Sequence, residues 1–140
     1  MFRVEHLYKH VQESVKVEWN LGKRCNYDCS YCPAEIHDNF SKHTDIKILK
    51  NAVDDLIGSM PDLRTKVRIS FTGGEPCVHP KFLELLEYAR PKVSWLNVTT
   101  NGTRTAKYYT HLLDNLVDHL VFSLHLSLIH ISEPTRRSVI

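Results

Sequence analysis

The segment VRISFTGGEP, Val67 to Pro76, decides the fold. Val67, Ile69 and Phe71 alternate with Arg68, Ser70 and Thr72, the period of a strand with one apolar and one polar face, and a glycine pair ends it. A helix follows, with Phe82, Leu85, Leu86 and Ala89 at helical spacing; His79 and Pro80 read as its entry and Pro91 as its stop. The same unit precedes this one. Val15, Val17, Trp19 and Leu21 alternate with Lys16, Glu18 and Asn20, a loop rich in Cys, Asn and Asp follows, and Ile46, Leu49, Val53, Leu56 and Ile57 mark a helix. Thr44 or Asp45 is placed to cap that helix and Gly58 to end it. A third strand at about Val93–Thr99 leads through Asn101-Gly102 into a helix with Tyr109, Leu112, Leu113 and Leu116, and a fourth strand begins near His119.

Strands alternating with helices of this length describe successive βα units, hence an α/β fold with a parallel sheet. Parallel strands buried on both faces read as near-continuous apolar runs. These do not, because one face offers Glu18 and Asn20, Ser70 and Thr72, Asn97 and Thr99, and Ser123 and His125. Packed dry, such a face would cost roughly 1–3 kcal/mol for each unpaired polar group. The sheet is therefore expected to be a curved wall or partial barrel around a hydrophilic molecule, with its chemistry at the C-terminal strand ends.

The 140 residues suit one domain, and 18 basic against 16 acidic residues give a formal net charge of only +2. The basic residues are scattered, which argues against nucleic acid or a membrane surface as partner. No apolar run approaches the ~18–20 residues of a membrane span, and the N-terminal stretch lacks the apolar core of a signal peptide, so a cytoplasmic location is the expectation. Three of the four cysteines crowd into Cys25–Cys32, too close to pair without strain, and clustered cysteines of this kind point to metal.

Cys25, Cys29 and Cys32 supply three thiolates from one loop just beyond the first strand. Soft thiolates select zinc, copper(I) or iron–sulfur clusters. A structural zinc site would be closed by a fourth ligand, Cys77 or a histidine, and an electron-transfer cluster by a fourth cysteine, for which Cys77 is the remaining candidate. Three ligands alone leave one iron of a four-iron cube open to a substrate or cofactor.

The spacing C-x3-C-x2-C, with Tyr31 directly before the last cysteine, resembles the defining motif of the radical S-adenosylmethionine superfamily. Thr72-Gly73-Gly74-Glu75-Pro76 is similar to that family's GGEP motif, and Thr99-Thr100-Asn101-Gly102 to a frequent ending of its third strand. The resemblance covers about Val15 to His125. It implies a partial (β/α)6 TIM-like barrel of the radical SAM type, truncated after about the fourth strand, and an enzyme. It also implies a [4Fe-4S] cluster on Cys25, Cys29 and Cys32, with S-adenosylmethionine chelating the open iron and cleaved reductively to a 5′-deoxyadenosyl radical. Gly73, Gly74, Glu75, Pro76, Asn101 and Ser123 are the implied cofactor-binding residues. An external flavodoxin- or ferredoxin-like electron donor and a peptide or small-molecule substrate complete the implied partners; the cysteine motif most resembles the branch that modifies peptides or builds small cofactors. The competing classes are a zinc-stabilised binding module and a small iron–sulfur electron carrier.

Of the remaining residues, Cys77 reads as a small buried side chain, His37 and His43 as solvated loop histidines, and Tyr27 and Tyr31 as packing around the cluster. Ser123 and His125 are expected to project into the lumen. Residues 1–14 form a lead-in and 15–125 the core. The run LSLIHISEPTR, Leu126–Arg136, resembles a translated sequencing adapter, so 126–140 is expected to be a non-native tail. A half-barrel ending there would carry an unpaired edge strand, with insolubility and inactivity as the expectation.

Overall fold

The computed structural model describes residues 14–60 and 66–123 and the backbone of residues 136–138. The first strand, β1 (Ser14–Asn20), is followed by a short strand in the cysteine loop, β2 (Tyr27–Cys29), and helix α1 (Ile46–Gly58). Then come β3 (Lys66–Thr72), α2 (Phe82–Ala89), β4 (Trp95–Thr100), α3 (Ala106–Asn115) and β5 (His119–Phe122). Residues Arg136–Ser138 form β6, which pairs antiparallel with β2. The main sheet has the order β1-β3-β4-β5, and every pairing in it is parallel. The α/β class and the succession of βα units follow the sequence expectation. The lead-in before Ser14, His125, and the side chains of the expected tail lie outside the described residues.

One face of the sheet carries the core. Val67, Ile69 and Phe71 of β3 and Leu96 and Val98 of β4 are buried against Leu49 and Val53 of α1, Phe82, Leu85, Leu86 and Ala89 of α2, and Tyr109 and Leu112 of α3. The Phe71 ring meets Phe82 edge-on at 5.7 Å between centroids. Full burial of a side chain of this size contributes about 1.5–3 kcal/mol. Charged pairs tie the helices together outside this core: Lys50 Nζ lies 2.7 Å from Glu84 Oε1, between α1 and α2. The Asp118 carboxylate accepts from the Leu96 N–H at 2.8 Å and from Arg90, fixing the entry to β5.

The other face keeps its polar rows. Glu18, Ser70, Asn97 and His119 stand side by side in register across the four strands. Asn97 Nδ2 donates to Ser70 Oγ at 2.7 Å, and His119 Nδ1 donates to Asn97 Oδ1 at 3.0 Å. Polar groups thus satisfy one another along the wall, and Ser70 and Asn97 remain half-buried.

Local details decide between the cap candidates, define how the first helix ends and correct the start of β4. Asp45, not Thr44, caps α1, accepting from Lys47 N at 2.8 Å. Gly58 does not end that helix in a left-handed turn; it is the last helical residue, and Ser59 closes the helix in the right-handed conformation, with its hydroxyl donating to Leu56 O at 2.8 Å. β4 starts at Trp95 rather than at about Val93, because Arg90–Lys92 form a 3-10 turn and both the amide and hydroxyl of Ser94 bond back to Val67 O. His79 and Pro80 do lead into α2: His79 Nδ1 accepts from Lys81 N at 3.0 Å and Nε2 donates to Thr44 O at 2.9 Å.

Candidate cofactor site at the strand ends

The loop after β1 is laid against the loop after β3 by backbone hydrogen bonds. Leu21 N donates to Thr72 O at 3.0 Å, Gly74 N to Gly22 O at 2.8 Å and Glu75 N to Arg24 O at 2.9 Å. On its other side the cysteine loop is closed by Cys25 N to Asp38 O at 2.7 Å and Asp38 N to Lys23 O at 2.9 Å. The parallel ladder between β1 and β3 is therefore continued past both strand ends, and this continuation sets where Cys25 sits.

The glycine pair is required by that contact. Gly73 has φ +134°, and a Cβ there would lie 2.7 Å from Gly22 O and 2.9 Å from Asn20 Oδ1. A Cβ at Gly74 would meet Lys23 O at 2.3 Å and Arg24 O at 2.4 Å. Both contacts are far inside van der Waals distance and, apart from Asn20 Oδ1, are with backbone, so no side-chain rotation relieves them. The sequence reading assigned these glycines to a ligand; the structure adds a prior demand, the close approach of two loops.

Glu75 is 3% exposed. Its carboxylate links the loop after β3 to the end of β4: Oε1 accepts from Cys77 N at 3.0 Å and from Thr100 Oγ1 at 2.7 Å, and Oε2 accepts from Asn101 N at 2.5 Å. The network extends outward, with Tyr109 Oη donating to Thr100 Oγ1 at 3.1 Å and Arg104 N to Tyr109 Oη at 3.1 Å. Charge-assisted bonds of this kind are stronger than neutral ones, which is how a buried carboxylate is tolerated. Nothing in the sequence reading anticipated this role for Glu75, nor the part of Asn26 and Thr103, which bond to each other at 2.9 Å across the two loops. The one available signal was an acidic residue directly after a glycine pair, between strand and turn.

A cavity of about 170 Å³ opens at these strand ends. Its walls include the three clustered cysteines, Gly73, Gly74 and Glu75, together with Asn101 and Ser123. Pro76 is not among them; it is buried behind the loop, where it starts the 3-10 turn Pro76–Val78. Ser123 reaches the cavity after its amide donates to Thr100 O at 2.8 Å. Tyr27 and Tyr31 also line it, as expected of residues packed around the cysteines.

Burial first, then the neighbouring Cys29, raises the Cys32 thiol above its ordinary value; burial also raises Cys25, opposed by the Tyr27 N–H at 3.4 Å from its sulfur. Among the described residues no three His, Cys, Asp or Glu side chains converge on a single metal ion. The three thiols line one wall of the cavity together. That donor set and spacing fit a multinuclear cluster better than a tetrahedral zinc.

Cys77 stands apart. It is 1% exposed, is not on the cavity wall, and burial followed by the Glu75 charge pushes its thiol up to about 12. His37 departs from the expectation of a solvated histidine: it is buried, Nδ1 donates to Pro33 O at 2.9 Å, and Nε2 lies 3.2 Å from Asp28 Oδ1, so the ring braces the cysteine loop from inside. His43 is half-buried against His79, 4.9 Å between ring centroids, and burial lowers its proton affinity.

Known proteins are similar to this chain in sequence and in fold. The chain is 35% identical over 88 residues to the Fe-coproporphyrin III synthase of Methanosarcina barkeri, covering 62% of this chain and 21% of that protein. It is 29% identical over 106 residues to a probable GTP 3′,8-cyclase of Thermococcus kodakarensis, covering 76% and 33%. It thus spans between a fifth and a third of the length of these curated relatives. The solved structure of His6-tagged anSMEcpe with bound AdoMet superposes with a TM-score of 0.69 at 21% identity, over 89% of this chain and 35% of that one, a likeness of fold. The parallel sheet and its helices therefore share the fold of the matched part of that structure. The family model of the Radical SAM superfamily matches residues 19–139, and by that match the chain belongs to the radical SAM superfamily.

Proposed function

We propose that this chain is the cofactor-binding part of a radical enzyme, in which Cys25, Cys29 and Cys32 hold a [4Fe-4S] cluster that also binds S-adenosylmethionine. The carrying observation is that three thiols from one loop and the glycine edge of β3 line one cavity at the strand ends. When bound, such a cluster supplies one electron to the sulfonium carbon–sulfur bond, giving methionine and a 5′-deoxyadenosyl radical that abstracts hydrogen from substrate.

The chain's own residues orient and enclose. The edge of Gly73, Gly74 and Glu75 would receive the cofactor's amino group through backbone acceptors, since the Glu75 carboxylate is already engaged by three donors. Ser123 would contribute a hydroxyl from the adjoining wall. Tyr27 and Tyr31 would exclude water from the reacting centre. Each cleavage consumes one electron, so an external flavodoxin- or ferredoxin-like donor is part of this proposal. The substrate class is a peptide or a small cofactor precursor, supported by the cysteine motif and by the names of the relatives, one a porphyrin synthase and one a nucleotide cyclase.

Two other readings lose support from the same geometry. An electron carrier needs a fourth cysteine near the cluster, and Cys77 is buried behind the loop after β3, off the cavity wall. A zinc module needs four donors around one point; His37 lines the cavity beside the three cysteines, but both its ring nitrogens are engaged, by Pro33 O and Asp28 Oδ1. Anaerobic reconstitution with iron and sulfide tests the proposal: the expected product is brown, holds about four iron per chain, and changes its reduced electron paramagnetic resonance signal when S-adenosylmethionine is added. A colourless protein with one tightly held zinc refutes the cluster, and a signal indifferent to S-adenosylmethionine refutes the radical reading.

A further inference from the structure

The side chain of Asn101 is turned toward the cysteine loop rather than left open to the cavity alone. Its Oδ1 accepts twice from Thr103, from the amide at 3.2 Å and from the hydroxyl at 2.8 Å. Both are donors, so the oxygen is fixed on that side and Nδ2 must point the other way. There Nδ2 donates to Asn26 Oδ1 at 2.8 Å and faces Cys25 Sγ at 3.9 Å. Asn26 is fixed in turn, because its own Nδ2 donates to Thr103 Oγ1 at 2.9 Å. Three side chains from two loops therefore determine one another's orientation, and the Asn101 backbone is anchored separately by Glu75 Oε2.

We propose that Asn101 is a positioning residue that sets the reduction potential of the cluster by directing an amide N–H at Cys25 Sγ. The inference rests on the reading of Cys25 as a cluster ligand. Reduction adds negative charge that spreads onto the ligand sulfurs, and a hydrogen bond to a sulfur stabilises the more negative state, which raises the potential. Cys25 is the suitable target, since it is the most buried of the three clustered cysteines and water competes least for its sulfur. The backbone amide of Tyr27, 3.4 Å from the same atom, adds a second donor that no side-chain substitution removes. The end of β4 would thus tune the chemistry of a loop that leaves β1, through a contact that spans the two outer edges of β3.

The test is redox potentiometry of the reconstituted protein followed by electron paramagnetic resonance, with iron content measured in parallel. Asn101→Ala is expected to retain about four iron per chain while the equilibrium constant for cluster reduction falls roughly tenfold, ~59 mV more negative for a one-electron couple. Thr103→Val loosens the Asn101 amide without removing it and is expected to shift the potential in the same direction by less. Potentials unchanged in either variant, at iron content equal to the parent, overturn the inference; if Asn101→Ala cannot hold iron, Thr103→Val decides alone. Failure of the parent to assemble any cluster is a different result and overturns the reading of the cysteines instead.

Discussion

Placing a single methyl group at position 74 tests how the cysteine loop is held. In Gly74→Ala the new Cβ would stand 2.3 Å from Lys23 O, 2.4 Å from Arg24 O and 2.7 Å from the Arg24 carbonyl carbon. All three are backbone atoms, so relief requires the loops after β1 and β3 to part by about an ångström. Parting lengthens two hydrogen bonds, Gly74 N to Gly22 O and Glu75 N to Arg24 O. Each contributes about 0.5–1.5 kcal/mol, and the steric overlap costs about 1–3 kcal/mol more. A total on the order of 3 kcal/mol corresponds to a fall of roughly 10 °C in melting temperature for a chain of this size. Gly58→Ala is the matched control: that glycine is helical, has no positive φ and has nothing within 4 Å of its would-be Cβ. Alanine there should not destabilise, since even a helix-interior glycine gains about 0.5–1 kcal/mol on that change and this one is the last helical residue. Thermal melts followed by circular dichroism, with iron content after reconstitution, read both variants. A Gly74→Ala protein that melts within 2 °C of the parent (on the scale of about 3–4 °C per kcal/mol) and binds a full complement of iron would refute the argument that loop packing demands this glycine.

Three further substitutions probe the surrounding network. Glu75→Gln keeps the shape but cannot accept from all three donors, leaving one N–H or O–H unpaired at a site 3% exposed; a loss of about 1–3 kcal/mol in urea denaturation is expected. The Cys77 thiol, raised by burial to about 12 from an ordinary 9, makes the unfolded chain lose its proton first. Stability should therefore fall as pH rises from 9 toward 12, and Cys77→Ala should lessen that fall in denaturation curves taken across the range. Asp118 behaves oppositely: the Arg90 guanidinium and the Leu96 amide hold its carboxyl below the ordinary 3.8. Its contribution is present above that value and lost as pH falls through the lowered one, so Asp118→Asn should flatten the acid limb of the stability profile.

The elements that carry the site were legible because their information is local. Alternation at Val67–Thr72 marked β3, and the periodicity of Phe82, Leu85, Leu86 and Ala89 marked α2, both as the structure has them. The three thiols within one loop were legible for the same reason, and the structure places them on the wall of one cavity. What escaped was non-local. His37 looks like a loop histidine among polar neighbours, yet its burial comes from Pro33 and Asp28 folding around it. Pro76 shares a motif with the glycines but turns away from the cavity, since the chain must enter a 3-10 turn immediately after Glu75. The bond from Asn101 to Asn26 joins residues that only the parallel pairing of β1, β3 and β4 brings together.

These long-range contacts share one geometric origin. In a parallel sheet the C-terminal strand ends lie on the same edge, so the loops that leave β1, β3 and β4 emerge side by side. Here the first two are joined by backbone hydrogen bonds that glycine makes possible, and the second and third by the Glu75 carboxylate. Asn101 closes the circuit from the third loop back to the first. The position of Cys25 is then fixed by the sheet through three independent routes, while Cys29 lies on the short strand β2 and Cys32 in the turn that follows, with Cys32 N donating to Cys29 O at 3.0 Å. The asymmetry has a testable consequence for assembly: Cys25→Ser should abolish iron binding while leaving the melting temperature of the iron-free protein nearly unchanged, because the routes run through the Cys25 backbone and its neighbours. Loss of the iron-free fold on that substitution would show instead that the thiol itself is part of the packing that joins the loops.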